Sequence, residues 1–249
     1  MTTQQLTATN SLVTGASRGL GRGIATALHQ AGAHVIGVAR DASSLDDLQA
    51  ELGDRFTPVA ADATDPTTVG QLMDAYRPRI LALVAGARPL SRPLHQHTWE
   101  TFSANWEVDV KQTFHWIREA LMRPLEPGSV VIAMSSGAAV RGSALSGGYA
   151  GAKATIRFTA GYAQDESDRA GLGIRFLSVL PQLTPATELG ATAVAAYAAR
   201  AGLDVATYLS QLGPTLSPET AGKAFVELAT DAQLAGSFML TAGGLAPAP

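Results

Sequence analysis

The sequence predicts an α/β fold: a doubly wound parallel sheet forming a single domain. Three observations predict it. Short, near-continuous apolar runs recur along the chain, as strands buried on both faces require. Helix-length stretches lie between them, which argues for right-handed crossover connections. A length of 249 residues, without a repeat or a linker-like stretch, suits one such domain.

The elements follow in chain order. Ser11–Thr14 is the first strand, and it runs into a glycine-rich turn that opens a helix over Leu20–Gln30. His34–Arg40 is the second strand, with a helix over Leu45–Leu52 behind it; Phe56–Ala60 is the third strand. A helix over Pro66–Tyr76 starts with Asp65 as N-cap and a proline at the first position, where a missing N–H costs nothing. Ile80–Ala85 is the fourth strand and Trp99–Met122 the helix after it. Ser129–Ser135, a helix over Gly148–Arg169 and the strand Ile174–Pro181 come next. Leu189–Leu212 and Pro218–Thr230 are helical, the second started by Ser217-Pro218-Glu219, and Ser237–Thr241 closes the sheet.

Composition removes several function classes. With 46% hydrophobic and 16% charged residues the chain is not disordered. A net charge of −3 gives no electrostatic footprint for nucleic acid. The absence of cysteine excludes a disulfide framework, a thiolate metal site and a thiol nucleophile, and suits a reducing cytosol. The start MTTQQLTATN lacks the basic and apolar regions of a signal peptide, and glycines and prolines interrupt the charge-free stretch from Ala232 to Pro249. The expectation is a cytoplasmic protein with no membrane partner. His95-Gln96-His97 lacks a supporting carboxylate pattern and reads as solvated, so no metal is expected. Trp99, Trp106 and Trp116 read as core or interface aromatics.

Two motifs carry chemistry. The first is Thr14-Gly15-Ala16-Ser17-Arg18-Gly19-Leu20-Gly21, at the junction of the first strand and the first helix. Glycines let the backbone approach a pyrophosphate, and the helix start offers unpaired N–H groups with the positive end of its dipole. An acid at the end of the second strand would hold the ribose 2′-OH of NAD; that position is Ala39, followed by Arg40. Arg40 and Arg18 therefore point to the 2′-phosphate of NADP(H), although Asp41 follows closely. Asp62 lies in the loop after the third strand, over the adenine on such a fold, with Asp65 competing for the helix-cap role.

The second motif is Tyr149-Ala150-Gly151-Ala152-Lys153, a phenol and an ammonium one helical turn apart. Ser136, at the end of the fifth strand, meets them at the C-terminal edge of the sheet, where ligands bind. Reduction of a ketone needs a proton for oxygen as hydride reaches carbon. A free phenol titrates near pH 10, and bringing it towards neutrality takes roughly 3–4 kcal/mol. A lone ammonium at about 4 Å supplies about 4 kcal/mol at an effective dielectric near 20. Ser136 can hold the carbonyl; Ser135, its neighbour on the strand, should face away.

Thr14–Gly21, Ser136, Tyr149 and Lys153, in this order, resemble the short-chain dehydrogenase/reductase family, and the resemblance runs along essentially the whole chain. Asp62 is similar to its adenine-loop acid, Ala85-Gly86 to the end of its fourth-strand Asn-Asn-Ala-Gly motif, and Pro181 to the proline after its sixth strand. Gly236 with Gly243-Gly244 resembles its closing strand and glycine pair. The resemblance implies a Rossmann-type domain with seven parallel strands and nicotinamide-dependent interconversion of carbonyls and alcohols. It also implies a small-molecule substrate and a homotetramer or homodimer. In those roles Tyr149 is proton donor and acceptor, Lys153 also holds the nicotinamide ribose, and Ser136 orients the substrate. The implied cofactor contacts are Gly15, Ser17, Arg18, Gly19, Leu20, Gly21, Arg40, Asp62, Ala85, Gly86, Pro181 and Thr184, with Thr187 the alternative to Thr184, besides Tyr149 and Lys153.

The chain also departs from that pattern. Leu83 and Val84 stand where the family has two asparagines, Asp109 where it has a proton-relay asparagine, Gln182 after Pro181, and Ala242 before Gly243-Gly244. Asp109 is expected in the catalytic group, with pairing to solvent, Lys111 or Arg118 as the alternative. Residues 184–212 form the expected substrate lid. Arg88, Arg92 and Arg141 are loop charges, read as solvated in preference to selecting an acidic substrate. The leading function is an NADP(H)-dependent carbonyl reductase. An idle dinucleotide-binding sensor on the same fold is the alternative, and a cofactor-free dehalogenase is disfavoured by Lys153 and the intact glycine turn.

Overall fold

The computed structural model describes residues 6–249, so the first half of the stretch MTTQQLTATN lies outside the described residues. Eight strands form one sheet: β1 Asn10–Thr14, β2 His34–Ala39, β3 Phe56–Ala60, β4 Ile80–Leu83, β5 Val130–Met134, β6 Arg175–Pro181, β7 Ser237–Thr241 and β8 Gly244–Pro247. Their spatial order is β3-β2-β1-β4-β5-β6-β7-β8, parallel throughout except for β8 against β7. The helices are α1 Gly19–Gln30, α2 Ala42–Leu52, α3 Pro66–Tyr76, α4 Trp99–Asn105, α5 Lys111–Met122, α6 Ala138–Arg141, α7 Gly147–Ala170, α8 Glu188–Ala201, α9 Val205–Leu212 and α10 Pro218–Thr230.

Strand alternation divides the core into two layers. Leu12, Ile36 and Leu81 are paired across β2, β1 and β4 and pack with Met73 of α3 and Trp116 of α5. Val13, Val35 and Ala82 face the other way, onto Ile24 and Leu28 of α1 and Phe225 of α10. Both faces are thus covered, which is why the strands carry almost no exposed polar residues. The winding reverses between β1 and β4, and a crevice opens at their C-terminal ends, the place where doubly wound sheets bind ligands.

Several boundaries differ from the sequence expectation, each for a local reason. β4 stops at Leu83 because the next two amides, of Val84 and Ala85, donate to the Thr14 hydroxyl and leave the ladder. The stretch Trp99–Met122 is not one helix: a wider π turn over Trp106–Val110 separates α4 from α5. Leu189–Leu212 is two helices, because Gly202 closes α8 in the left-handed conformation and the Asp204 side chain starts a new cap. β8 is an eighth, antiparallel strand beyond the seven expected. It is short and contains Pro247, and both features suit a sheet edge. Of the tryptophans only Trp116 is core, with its Nε1 donating to the Ala63 carbonyl at 3.0 Å; Trp99 and Trp106 are exposed. No helix among the described residues is long and apolar enough to cross a membrane.

The packing of α1 on α10 is close enough to set the sign of a substitution. A Cβ on Gly23 would lie 2.4 Å from the Pro218 carbonyl oxygen, a backbone atom that cannot turn aside. A Cβ on Gly70 of α3 would meet nothing within 4 Å. Helix propensity alone favours alanine over glycine by roughly 0.8–1 kcal/mol at both positions. We therefore expect Gly70→Ala to raise stability by about that amount. Gly23→Ala should lower it by about 1–3 kcal/mol, the cost of overpacking. Urea unfolding of the two variants checks the opposite signs.

Candidate active site

A cleft of about 980 Å³ runs along the C-terminal edge of the sheet. Gly15, Ser17, Arg18, Gly19, Leu20 and Gly21 line one stretch of it, Arg40 and Asp62 another, and Ser136, Tyr149 and Lys153 a third. Ala85, Gly86, Asp109, Pro181 and Thr184 complete the predicted set on its wall.

The glycine turn is built from its neighbours. Gly15 donates to the Val38 carbonyl at 2.7 Å and sits at φ 71°, with the Ala85 Cα only 2.8 Å from where a Cβ would be. No other residue type fits that conformation and that gap together. The helix that follows has no side-chain cap, whereas Asp41, Asp65, Thr187, Asp204 and Ser217 cap α2, α3, α8, α9 and α10. The open N–H groups of α1 therefore face the cleft, and they suit a pyrophosphate.

At the ends of β2 and β3 the acids are turned to local work. Asp41 accepts from the Ser44 amide and from the Ser44 hydroxyl at 2.6 Å. Asp62 accepts from the Thr64 amide at 2.9 Å; that hydrogen bond, with the Arg40 charge a smaller contribution, holds its carboxyl below the usual range. Asp65 takes the cap of α3, as the competing assignment required. Arg40 is exposed at the cleft, and no acid among the described residues is in salt-bridge contact with it.

Arg18 is placed differently from expectation. It is not a free cation: it pairs with Glu188 at 2.8 Å, and Glu188 also binds Arg88. Thr184 also differs. Its hydroxyl is buried, donates to the Leu216 carbonyl and receives the Ala186 amide. Thr187 is the threonine at the glycine turn, with its methyl 3.3 Å from where a Gly19 Cβ would be.

The centre of the site is a buried ion pair. Lys153 Nζ lies 3.0 Å from Asp109 Oδ2 and donates to the Met134 carbonyl at 3.0 Å. The contact with Oδ2 is ionic and lacks hydrogen-bond geometry. Asp109 Oδ1 receives the Ala87 amide at 2.7 Å and Asn105 Nδ2 at 3.3 Å. Asp109 is 1% exposed and Lys153 5%, so pairing of Asp109 with solvent, Lys111 or Arg118 is overturned. Burial is the largest single influence and pulls the lysine's pKa down, but the Asp109 carboxylate and, less strongly, the Tyr149 phenol together outweigh it and hold the ammonium above its ordinary range. The ammonium also lies 5.6 Å from the centroid of the Tyr149 ring. Ser136 Oγ accepts the Ala138 amide, while Ser135 turns inward and donates to the Lys153 carbonyl at 2.7 Å, as strand alternation required.

Sequence reasoning missed the frame around this pair. Gln112 accepts from Thr14 and donates to the Ala85 carbonyl, and Asn105 donates to the Ala87 carbonyl. Asn105, Asp109 and Gln112 form a polar stripe at helical spacing on a segment otherwise rich in aromatics, and that stripe was the available signal. Glu188 had no such signal, since its partner Arg18 is 170 residues away.

Comparison with known proteins agrees with this architecture. The family model for short chain dehydrogenase matches residues 9–198. L-xylulose reductase from Homo sapiens is 32% identical over 48% of this chain and 50% of its own, so the chain spans about half the length of that relative. Serine 3-dehydrogenase from Rhizobium radiobacter is 32% identical over 68% of this chain and 70% of its own. The fold is also that of 3-ketoacyl-(acyl-carrier-protein) reductase from Brucella melitensis, solved in complex with NADH. Its TM-score is 0.79 at 22% identity, covering 96% of this chain and 98% of that one. The chain belongs to the short-chain dehydrogenase/reductase family.

Removing one member of a buried pair strands the other. Asp109→Ala should therefore lower stability by about 3–5 kcal/mol at pH 7. The double variant Asp109→Ala/Lys153→Met should lose less than that single one, because no charge is left unpaired. A lysine whose pKa is raised in the folded state contributes stability that is complete below its unfolded value, about 10.4, and lost as pH rises through the folded value. In the variant burial is no longer offset, so the stranded lysine's pKa falls below its ordinary value and it sheds its proton as pH rises. The deficit of Asp109→Ala should therefore shrink progressively between pH 7 and about 10, where the wild-type contribution is still complete. Urea unfolding across that range measures it.

Proposed function

We propose that this short-chain dehydrogenase/reductase interconverts a carbonyl and an alcohol by hydride transfer, with NADP(H) as its cofactor. The observation that carries the reading is the convergence of Ser136, Tyr149 and Lys153 on the cleft that also holds the uncapped glycine turn. When bound, the nicotinamide supplies or takes up the hydride. The chain's own residues do the rest. Tyr149 gives its phenolic proton to the carbonyl oxygen in reduction and takes it back in oxidation. Lys153 keeps a positive charge one helical turn from that phenol, which favours the phenolate left behind, and it would hold the nicotinamide ribose. Ser136, with its oxygen already holding the Ala138 amide, has its proton free to hold the substrate carbonyl. Asp109 is a positioning residue: it fixes the ammonium between itself and the Met134 carbonyl.

The NADP(H) assignment rests on charges at the end of β2. No acid stands at Ala39, Asp41 is engaged with Ser44, and Arg40 is open to the cleft. Arg18 joins Arg40 once Glu188 releases it. Thr187 replaces Thr184 as the threonine at the cofactor, because the Thr184 hydroxyl is committed to the Leu216 carbonyl. Residues 184–212, now α8 and α9, serve as the substrate lid; Tyr197 and Tyr208 are their cleft-facing aromatics. The exposed aromatics Phe114 on α5 and Phe158 and Tyr162 on the adjacent α7 are the face on which a second copy of the chain would dock. The protein works in the cytoplasm as a homodimer or homotetramer on this reading.

Two measurements test it. NADPH should bind at least about tenfold more tightly than NADH, since one charge-assisted contact to the 2′-phosphate is worth about 1.5–3 kcal/mol. Dissociation constants by fluorescence titration decide this, and equal or reversed affinities refute it. Tyr149→Phe keeps the ring and removes the proton donor. Turnover with any accepted carbonyl should fall by about two to four orders of magnitude while NADPH affinity barely changes. Near wild-type turnover in that variant would end the Tyr149 assignment.

A further inference from the structure

We infer that Arg141 selects a substrate bearing a carboxylate, so that the reaction is between an oxo acid and its hydroxy acid. The inference rests on the carbonyl–alcohol reading above and goes beyond it by naming a substrate class. It follows from the charges around the cleft. Arg18 and Arg88 share Glu188, and Lys153 has Asp109. Arg40 lies at the Asp62 end, where its charge acts on that carboxyl. Arg141, the last residue of α6, is the cation left over. Among the described residues no carboxylate pairs with its guanidinium, and no hydrogen bond satisfies it.

Its position gives that charge a use. Arg141 lines the same cleft as Ser136 and Tyr149, and its Nη2 is 3.4 Å from where a Cβ on Gly137 would be. The guanidinium is thus packed over the residue directly after the serine that holds the carbonyl. The neighbouring wall is rich in hydroxyl groups. Ser143 Oγ hydrogen-bonds Ser146 Oγ at 2.6 Å and the Tyr197 hydroxyl, which also receives the Leu145 amide. All three side chains line the cleft. A guanidinium fork with hydroxyls beside it matches a carboxylate in charge and geometry. The rest of this wall is small and apolar, with Ala144, Ala193 and Leu212, which leaves room for a short carbon chain between the two polar ends.

The test uses 2-oxobutanoate, acetoacetate and levulinate, each against its methyl ester, with NADPH oxidation as the readout. At least one acid should have a kcat/KM roughly tenfold or more above that of its ester, the worth of one charge-assisted contact. In Arg141→Gln the acid-to-ester ratio should fall to near one, and in Arg141→Lys to an intermediate value. Arg92 lies on the same rim outside the cleft lining, so Arg92→Gln should keep the wild-type ratio; a fall there as large as in Arg141→Gln would mean a diffuse field and overturn the assignment. Calorimetry on the Tyr149→Phe variant with NADPH bound separates binding from chemistry. Tighter binding of an acid than of its ester there, abolished by adding Arg141→Gln, supports the Arg141 site even if the wild type reduces none of the panel; that failure would count against the reductase reading alone. Reduction or binding of acids and esters without preference overturns the Arg141 inference and leaves the reductase reading in place.

Discussion

The buried contact between Lys153 and Asp109 is the constraint on which the rest of the site depends. It joins four parts of the chain at one point: α7 through Lys153, the π turn through Asp109, the end of β5 through the Met134 carbonyl, and the exit of β4 through the Ala87 amide. Taking two charges out of water costs several kcal/mol each, and such a pair is often no more stable than apolar residues of the same volume. Its value to the fold is therefore placement more than net stability. An ammonium that must sit one turn from a phenol cannot be left to wander on a four-carbon stem, and the carboxylate and the carbonyl fix it from two sides. The π turn, which sequence periodicity does not announce, lies at the segment that carries Asp109; such wider turns recur at functional sites.

The pair also changes the electrostatics that a lone lysine would give. A lone ammonium would put its full field on the phenol. In the structure that charge is shared with a carboxylate 3.0 Å away, so the cleft feels an ion pair. A second shared charge lies at the other wall, where Glu188 holds both Arg18 and Arg88. These contacts are of different kinds. The bridges of Glu188 are solvent-exposed and therefore weak, so an arriving phosphate can exchange them readily. The Lys153 pair is dry and stays in place. One end of the cleft is thus adaptable and the other fixed, which suits a cofactor that comes and goes past a catalytic group that must not move.

What the sequence made legible follows the range over which each signal acts. The strands, the glycine turn, the caps at Asp65 and Ser217 and the inward turn of Ser135 are all local patterns of a few residues, and the structure has them. The break within Leu189–Leu212 was missed, although it too is local: Gly202 closes α8 in the left-handed conformation. The end of β4 was not legible, because it depends on a hydroxyl from Thr14 seventy residues away. The partners of Asp109 and Arg18 lay beyond reach for the same reason: charge type is written in the sequence, but which opposite charge comes near is decided by the fold. The missing asparagines at Leu83 and Val84 looked like a loss. Their place in holding the β4 exit is taken by Thr14 and Gln112, residues of other elements whose side chains arrive from across the sheet.

An aspartate at position 109 carries one further implication for how this site is assembled. A lysine buried beside a neutral amide has no counter-charge of its own, so it would wait for a ligand or water to complete its environment. Beside a carboxylate the ammonium is compensated within the chain, with Asp109 held in turn by the Ala87 amide and Asn105. Gly86 makes the approach possible, since a Cβ there would lie 2.9 Å from Asp109 Oδ2. A glycine, a carboxylate, an amide and a lysine from three segments thus close one unit within the chain itself. The binding energy of a ligand is then free for orienting the reacting groups, because it is not needed to gather them.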